Sequence, residues 1–441
     1  MQSRTFLDVS IFHCLCFCLA IAFKSAFAMK LRLMPFFTVL ALLWSAGAMA
    51  QVKVGLDVLL EHGAPELKSK RLGLITNATG VDAKGEANYM RLLQSGFRIE
   101  AIFAPEHGFL THEEAGQPIQ SSTLNSPFRQ PIPIFSLYGK TKKPTPEMLQ
   151  NLDALLFDIQ DIGTRCYTYI STMQLAMEAC AEQRKEFIVL DRPNPIAPIA
   201  PQGFMLDTAY RSFVGYVEVP FVHGLTVGEL ALFIQAQRLP TLQLRVVRMQ
   251  NFNRQRFFDD DSLVQLIPPS PNITSVEAMI LYPALVHLEG TNISEGRGTA
   301  TPFELFGAPF LDAEKVLTEL QSFHLAGVTF DTVSFVPRRL TGKASHPKFR
   351  DERCKGIRIR VTHRHQFQPF ALGAAILLAL YRTHPHNFRW LDGGKSLDRI
   401  AGTNRLRLLI EQQASLEIIL QESQNSRAYY ERIWQKYRLY D

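Results

Sequence analysis

The chain has 441 residues, room for two or three domains, and is 46% hydrophobic and 20% charged, ordinary proportions for a globular protein. Its formal charge of +6 falls to +3 without residues 1–50, which hold Arg4, Lys24, Lys30, Arg32 and one acid, Asp8. Near-balance of this kind gives no surface for nucleic acid, so none is expected as a partner.

The amino terminus reads as a leader. Met29 to Arg32 is a basic start, Pro35 to Trp44 an apolar run, and Ala48-Met49-Ala50 an A-x-A cleavage pattern. A signal peptide cleaved after Ala50 is expected, with Met29 as the true start, a periplasmic or secreted product, and no stable membrane span once the leader is gone. Three cysteines remain, Cys166, Cys180 and Cys354. They are too few and too far apart for a disulfide framework or a zinc site and read as buried free thiols.

From Gln51 to about Gln265 strands and helices alternate. Strands are expected at Arg71–Thr76, Ile99–Ala104, Ile132–Leu137, Asp153–Phe157, Phe187–Leu190 and Leu242–Met249. Helices are expected at Asn88–Gln94, Pro146–Asn151, Tyr167–Arg184 and Thr226–Arg238, the last opened by a Thr226/Glu229 capping box. Residues 192–220 read as a Pro-rich loop. The alternation argues for a parallel sheet covered on both faces, a Rossmann-like domain over 51–267. There is no G-x-G-x-x-G and no G-x-x-x-x-G-K, so no dinucleotide or nucleotide cofactor is expected. A boundary near IPPSPN, Ile267 to Asn272, opens a smaller α/β domain over 268–441. It carries a helix from Val276, apolar segments at Val328–Val336 and Gly356–Val361, and helices at Pro369–Arg382, Leu397–Gln413 and Ser415–Gln435.

Three strand ends carry acids: Glu106 beside His107 in IFAPEHGF, Asp158 with Asp161, and Asp191. In one parallel sheet these ends share the edge where ligands bind. They could equally cap the helices that follow. The loop Asp158 to Ile170 adds Arg165, Tyr167 and Tyr169, a charge and two amphipathic rings suited to a sugar. An internal Asp161–Arg165 salt bridge is the plainer alternative. A dimetal site on Asp158 and Asp161 is weakened by the lack of a histidine at ligand spacing, and no metal is expected. Glu289 to Thr299, EGTNISEGRGT, crowds Glu289, Thr291, Asn292, Glu295 and Arg297 among three glycines. No G-x-S-x-G elbow is present for a serine hydrolase.

FAPEHGF, DIQDIGTRCYTYI, LDRPNP, PFVHGLTVGELA, PPSPNI and LEGTNISEGRGTATPFELFGAPF resemble the signature blocks of the exo-β-N-acetylmuramidase family, NamZ-like, glycoside hydrolase family 171, formerly a domain of unknown function. The likeness runs through nearly all of residues 51–441. It implies a Rossmann-like domain and a smaller α/β domain with the active site in the cleft between. The implied activity is release of N-acetylmuramic acid from the non-reducing ends of peptidoglycan fragments, with a muropeptide or disaccharide as substrate. On that resemblance Glu106 is the general acid, expected to be held protonated in a half-buried, acid-rich cleft, with His107 as a further catalytic candidate and Glu295, Asp158, Asp161 or the substrate's own acetamido group as the second group. The candidate substrate-binding residues are Asn77, Asp158, Asp161, Arg165, Tyr167, Tyr169, Asp191, Arg192, Asn194, His223, Asn272, Glu289, Thr291, Asn292 and Arg297, with Arg297 favoured to read the lactyl carboxylate. A non-catalytic peptidoglycan-binding protein and a metal-dependent hydrolase are the alternatives. No oligomeric state is assigned.

Overall fold

The computed structural model describes residues 51–125, 131–260 and 265–441, so the expected leader lies outside the described residues. The apolar runs of the first half become β1 (Arg71–Thr76), β2 (Arg98–Ala104), β3 (Ser122–Leu124), β4 (Ile132–Ser136), β5 (Ala154–Asp158), β6 (Glu186–Leu190), β7 (Gln202–Met205), β8 (Pro220–Val222) and β9 (Leu244–Val247). Seven of them form one sheet in the order β3-β4-β2-β1-β5-β6-β9, parallel except for β3, which runs antiparallel to β4.

Alternation within each strand divides the core. Leu72, Leu74, Ile102, Leu156 and Ile188 face one apolar layer, while Ile75, Phe103, Leu155, Phe157 and Val189 face the other. Burial on both faces explains why these strands read as continuous apolar runs. The chain leaves β1 toward β2 and β4, then crosses back to β5, β6 and β9. The order therefore reverses between β1 and β5, where Thr76 pairs with Asp158. That switch point, at the carboxyl ends of the strands, is where such sheets form a crevice.

The second half carries an antiparallel sheet, β10 (Leu305–Ala308), β12 (Cys354–Val361) and β11 (Val328–Phe335) in that order, covered by the helix Ala313–Ser322, which packs in turn on the buried helix Pro369–Thr383. Val52–Asp441 pack as one compact unit whose halves interlock. Tyr430, on the helix Leu416–Ile433, donates to the His223 carbonyl at 2.7 Å, and Tyr440 donates to Asp191 Oδ2 at 2.7 Å. Cys166, Cys180 and Cys354 are buried free thiols, as expected.

Two expectations are corrected. Residues 192–220 are not simply a loop, because β7 lies within them and pairs antiparallel with β8. The single helix expected over Leu397–Gln413 is two, Lys395–Ala401 and Arg405–Glu411. Gly402 breaks it with a left-handed φ of +68°, and a side chain there would lie 2.4 Å from Arg165 Nη2.

Candidate active site

At the carboxyl end of β2 the chain makes a tight turn, with His107 at φ +68° and Gly108 at φ +76°. A non-glycine residue in this region is uncommon and marks a corner fixed by its surroundings. Glu106 is buried there, only 7% exposed. Its Oε1 accepts from the Gly116 amide at 2.9 Å, its Oε2 accepts from the Thr168 hydroxyl at 2.6 Å, and the Tyr138 hydroxyl also bonds the carboxyl. The expected acid-rich surround is therefore corrected: its direct partners are donors. His107 Nδ1 lies 2.8 Å from the Glu113 carbonyl, so Nδ1 carries the hydrogen and Nε2 is left as an acceptor. Burial lowers the His107 pKa, with Arg297 acting in the same direction and Glu106 opposing it, which keeps the ring neutral and places Arg297 within electrostatic reach.

Arg297 lines an open cleft of about 330 Å³ between the Glu114–Gln117 loop of the first half and residues 289–297 and 343–348 of the second. Its Nη1 donates to Glu289 at 2.6 Å and Glu295 at 3.0 Å, and its guanidinium lies 4.8 Å from the Phe303 ring centroid. Lys348 completes the cluster. Its ammonium donates to Glu295 at 3.1 Å and to the carbonyls of Leu288 and Ile293. Burial alone would raise the Glu295 pKa, but Lys348 and Arg297 prevail and bring it down to about 2, so this carboxylate is ionised across the working pH range. A row of rings, His107, Tyr169, Tyr167, Tyr282 and Phe303, runs edge to face from the Glu106 corner to Arg297.

Other candidates hold the frame. Arg165 is fully buried and donates to the carbonyls of Phe204, Val219 and Ala401, with no ion pair to Asp161. Arg192 donates to Asp158 at 2.6 Å and to the Val81 carbonyl, and Asp158 also accepts from Asn88 at 2.7 Å, a closed buried pair. Asp191 accepts from Thr226 and Gly228 at the start of the helix Val227–Arg238 as well as from Tyr440, and burial pushes its pKa up to about 7. Helix capping is its role here. Asn194 bonds Ile196 and Leu225, Thr291 bonds Leu288 and Ile293, and Asn292 exchanges bonds with the Arg389 backbone. Tyr169 is sealed in the core with its hydroxyl on the Pro269 carbonyl, and Tyr167 is 6% exposed. Asn272 holds the Lys343 carbonyl at 2.8 Å and so steadies one cleft wall. Asp161 accepts from the Gly163 amide at 2.7 Å and lies 3.5 Å from His223 Nε2. The Leu225 amide donates to His223 Nδ1, which leaves the hydrogen on Nε2, facing Asp161. Asp161 Oδ1 and Asn77 Nδ2 are buried polar atoms without a partner among the described residues. No group of three or more histidine, cysteine or carboxylate side chains suited to a metal occurs among the described residues.

Comparison with known proteins establishes the family. Residues 72–277 match the N-terminal domain model of the exo-β-N-acetylmuramidase NamZ, and residues 280–440 match its C-terminal domain model. The chain belongs to the NamZ family. It is 40% identical over 424 residues, 95% of this chain and all of the relative, to the peptidoglycan β-N-acetylmuramidase NamZ of Bacillus subtilis (strain 168). Two crystal structures of DUF1343-family proteins from Bacteroides fragilis NCTC 9343 share the fold. One has a TM-score of 0.79 at 33% identity and the other 0.69 at 28%, each covering 89% of this chain and 99% of that chain.

Within this NamZ-family fold the residues that sequence reasoning missed are the partners. Thr168 and Gly116 hold Glu106, and Lys348 holds Glu295. Ser345 receives Glu114 across the cleft, its amide donating at 2.9 Å. The one available signal was the density of polar residues in KASHPK, Lys343 to Lys348.

Proposed function

We propose that this chain is an exo-acting glycoside hydrolase that releases N-acetylmuramic acid from the non-reducing ends of peptidoglycan fragments in cell-wall turnover, with Glu106 as the general acid. The observation that carries the reading is the Glu106 corner, a carboxyl gripped by donors at the sheet edge and joined by a row of rings to the Arg297 cluster. Family membership supplies the reaction class. Glycoside cleavage needs a group that protonates the leaving oxygen and usually a second carboxylate that stabilises charge, attacks, or activates water. Glu295, held ionised, suits the second role and not the first. The ring row is buried and fixes the Glu106 corner relative to the Arg297 cluster.

Muramic acid differs from glucosamine by a lactyl carboxylate, and Arg297 is the arginine that faces the cleft. Its two bound carboxylates are unequal: Glu295 is 5% exposed at its side chain and Glu289 is 32% exposed. The more solvated pair is the weaker. The lactyl carboxylate takes the place of Glu289 on Arg297, while Glu295 stays fixed by Lys348. The product is periplasmic or secreted, following the expected cleavage after Ala50.

The test is incubation of residues 51–441 with a muramyl-(1,4)-glucosamine disaccharide, with and without chelator, read by mass analysis. Free N-acetylmuramic acid in both reactions is expected. Absence of turnover would favour a binding protein, and loss on chelation would favour a metal-dependent hydrolase. Paired chromogenic muramyl and glucosaminyl glycosides should be cleaved at very different rates; equal rates would overturn the Arg297 reading.

A further inference from the structure

Thr168 immediately precedes the 14-residue helix Tyr169–Glu182 with its backbone already helical, φ −70° and ψ −7°, and its side chain makes no cap hydrogen bond. The hydroxyl turns away from the helix and donates to Glu106 Oε2 at 2.6 Å, across 62 residues of sequence. The contact is buried, with Thr168 6% and Glu106 7% exposed. A buried hydroxyl whose hydrogen bond goes to a proposed reacting group on another element is placed to hold that group.

The two oxygens of Glu106 are held by different kinds of partner. The Gly116 amide can only donate, so it reserves Oε1 as an acceptor. The proton of the neutral acid therefore belongs on Oε2. A hydroxyl both donates and accepts, so Thr168 can accept from the resting acid, release that proton to the glycosidic oxygen once substrate is bound, and donate to the carboxylate left after the transfer.

We propose that Thr168 is a positioning residue for Glu106, holding Oε2 as the proton-bearing oxygen and following the carboxyl through both states of the catalytic cycle. This rests on the reading of Glu106 as general acid. The titratable groups that face Glu106 are His107 from its own turn, Tyr138 beyond β4, and Tyr167 and Tyr169 at the helix start. Burial lowers the first and raises the three tyrosines, so all four are neutral near pH 7 and add no charge that changes there.

The experiment compares Thr168→Val, which keeps the shape and deletes the hydroxyl, with Thr168→Ser, which restores it, and with Glu106→Gln, on the muramyl-glucosamine disaccharide from pH 5 to 9. For Thr168→Val, kcat should fall by about tenfold or more with KM within about twofold. The alkaline limb of kcat/KM should move up, because the bond to the charged carboxylate is stronger than the bond to the neutral acid. Thr168→Ser should recover both. A Thr168→Val enzyme with wild-type kcat and limb, while Glu106→Gln is inactive, would overturn the Thr168 assignment alone. So would a loss of activity with an unmoved limb, or one that serine fails to rescue, since a structural defect would produce that pattern. Near-normal turnover by Glu106→Gln would overturn the general-acid reading and this proposal together.

Discussion

Replacing Lys348 with methionine removes an ammonium that satisfies two carbonyls and one buried carboxylate, while keeping the length of the stem. The Glu295 pKa lies at about 2 in the folded chain, against an ordinary 4.5. A carboxyl lowered on folding adds stability above its unfolded midpoint and loses it as pH falls through the folded one. At about 1.4 kcal/mol per pH unit between the midpoints, Glu295 contributes roughly 3 kcal/mol at pH 7. Lys348 and Arg297 share that stabilisation, and removing one partner of a buried pair costs roughly 3–5 kcal/mol. Lys348→Met should therefore lower unfolding free energy by about 2–4 kcal/mol at pH 7, with the gap to wild type narrowing as pH falls from 4.5 toward 2. Urea titrations followed by tryptophan fluorescence at pH 7, 5, 4 and 3 measure it. A gap constant with pH would show that packing and the two carbonyls account for the loss, and would refute the charge argument.

Glu106→Gln should leave the unfolding midpoint within error and reduce turnover on the disaccharide by roughly 10²–10⁴-fold, the usual contribution of general acid catalysis. Arg165→Met strands three buried carbonyls that join β7 and the residue before β8 to Ala401, and should cost roughly 3–5 kcal/mol in a urea titration at any pH from 5 to 9. Asp191 has the opposite linkage to Glu295: its folded pKa, raised to about 7 from an ordinary 3.8, means stability is lost as pH climbs from about 4 to 7. Asp191→Asn should flatten that decline, of up to about 4 kcal/mol, so the variant gains on wild type between pH 5 and pH 8; parallel slopes would count against the burial argument.

The sheet was legible because buried parallel strands write long apolar runs, and turn residues, with an acid at three of the strand ends, mark where they stop. The order of strands was not, since the crossing from β4 to β5 leaves no local trace. The site was half legible for the same reason. Glu106, Asp158 and Asp191 stand at equivalent strand ends, and what separates them comes from far along the chain. Asp191 is closed by Thr226, Gly228 and Tyr440, and Asp158 by Asn88 and Arg192.

The three arginines among the substrate-binding candidates divide in the same way. Arg165 sits one residue before Cys166 in a loop that shows two acids, so its sequence neighbours suggest an ion pair. Its partners in space are three carbonyls, the last 236 residues away, and Gly402 is a glycine because the guanidinium fills the space a side chain would need. Arg192 is matched one to one with Asp158 in a buried site, where an added anion would face the full cost of an unbalanced buried charge. Arg297 differs in having two carboxylates and an open cleft. An arginine that already holds a replaceable anion can exchange it for a substrate carboxylate without changing its own charge balance. That capacity depends on Lys348 keeping Glu295 in place, and so on a residue 51 positions further on that no motif around Arg297 announces.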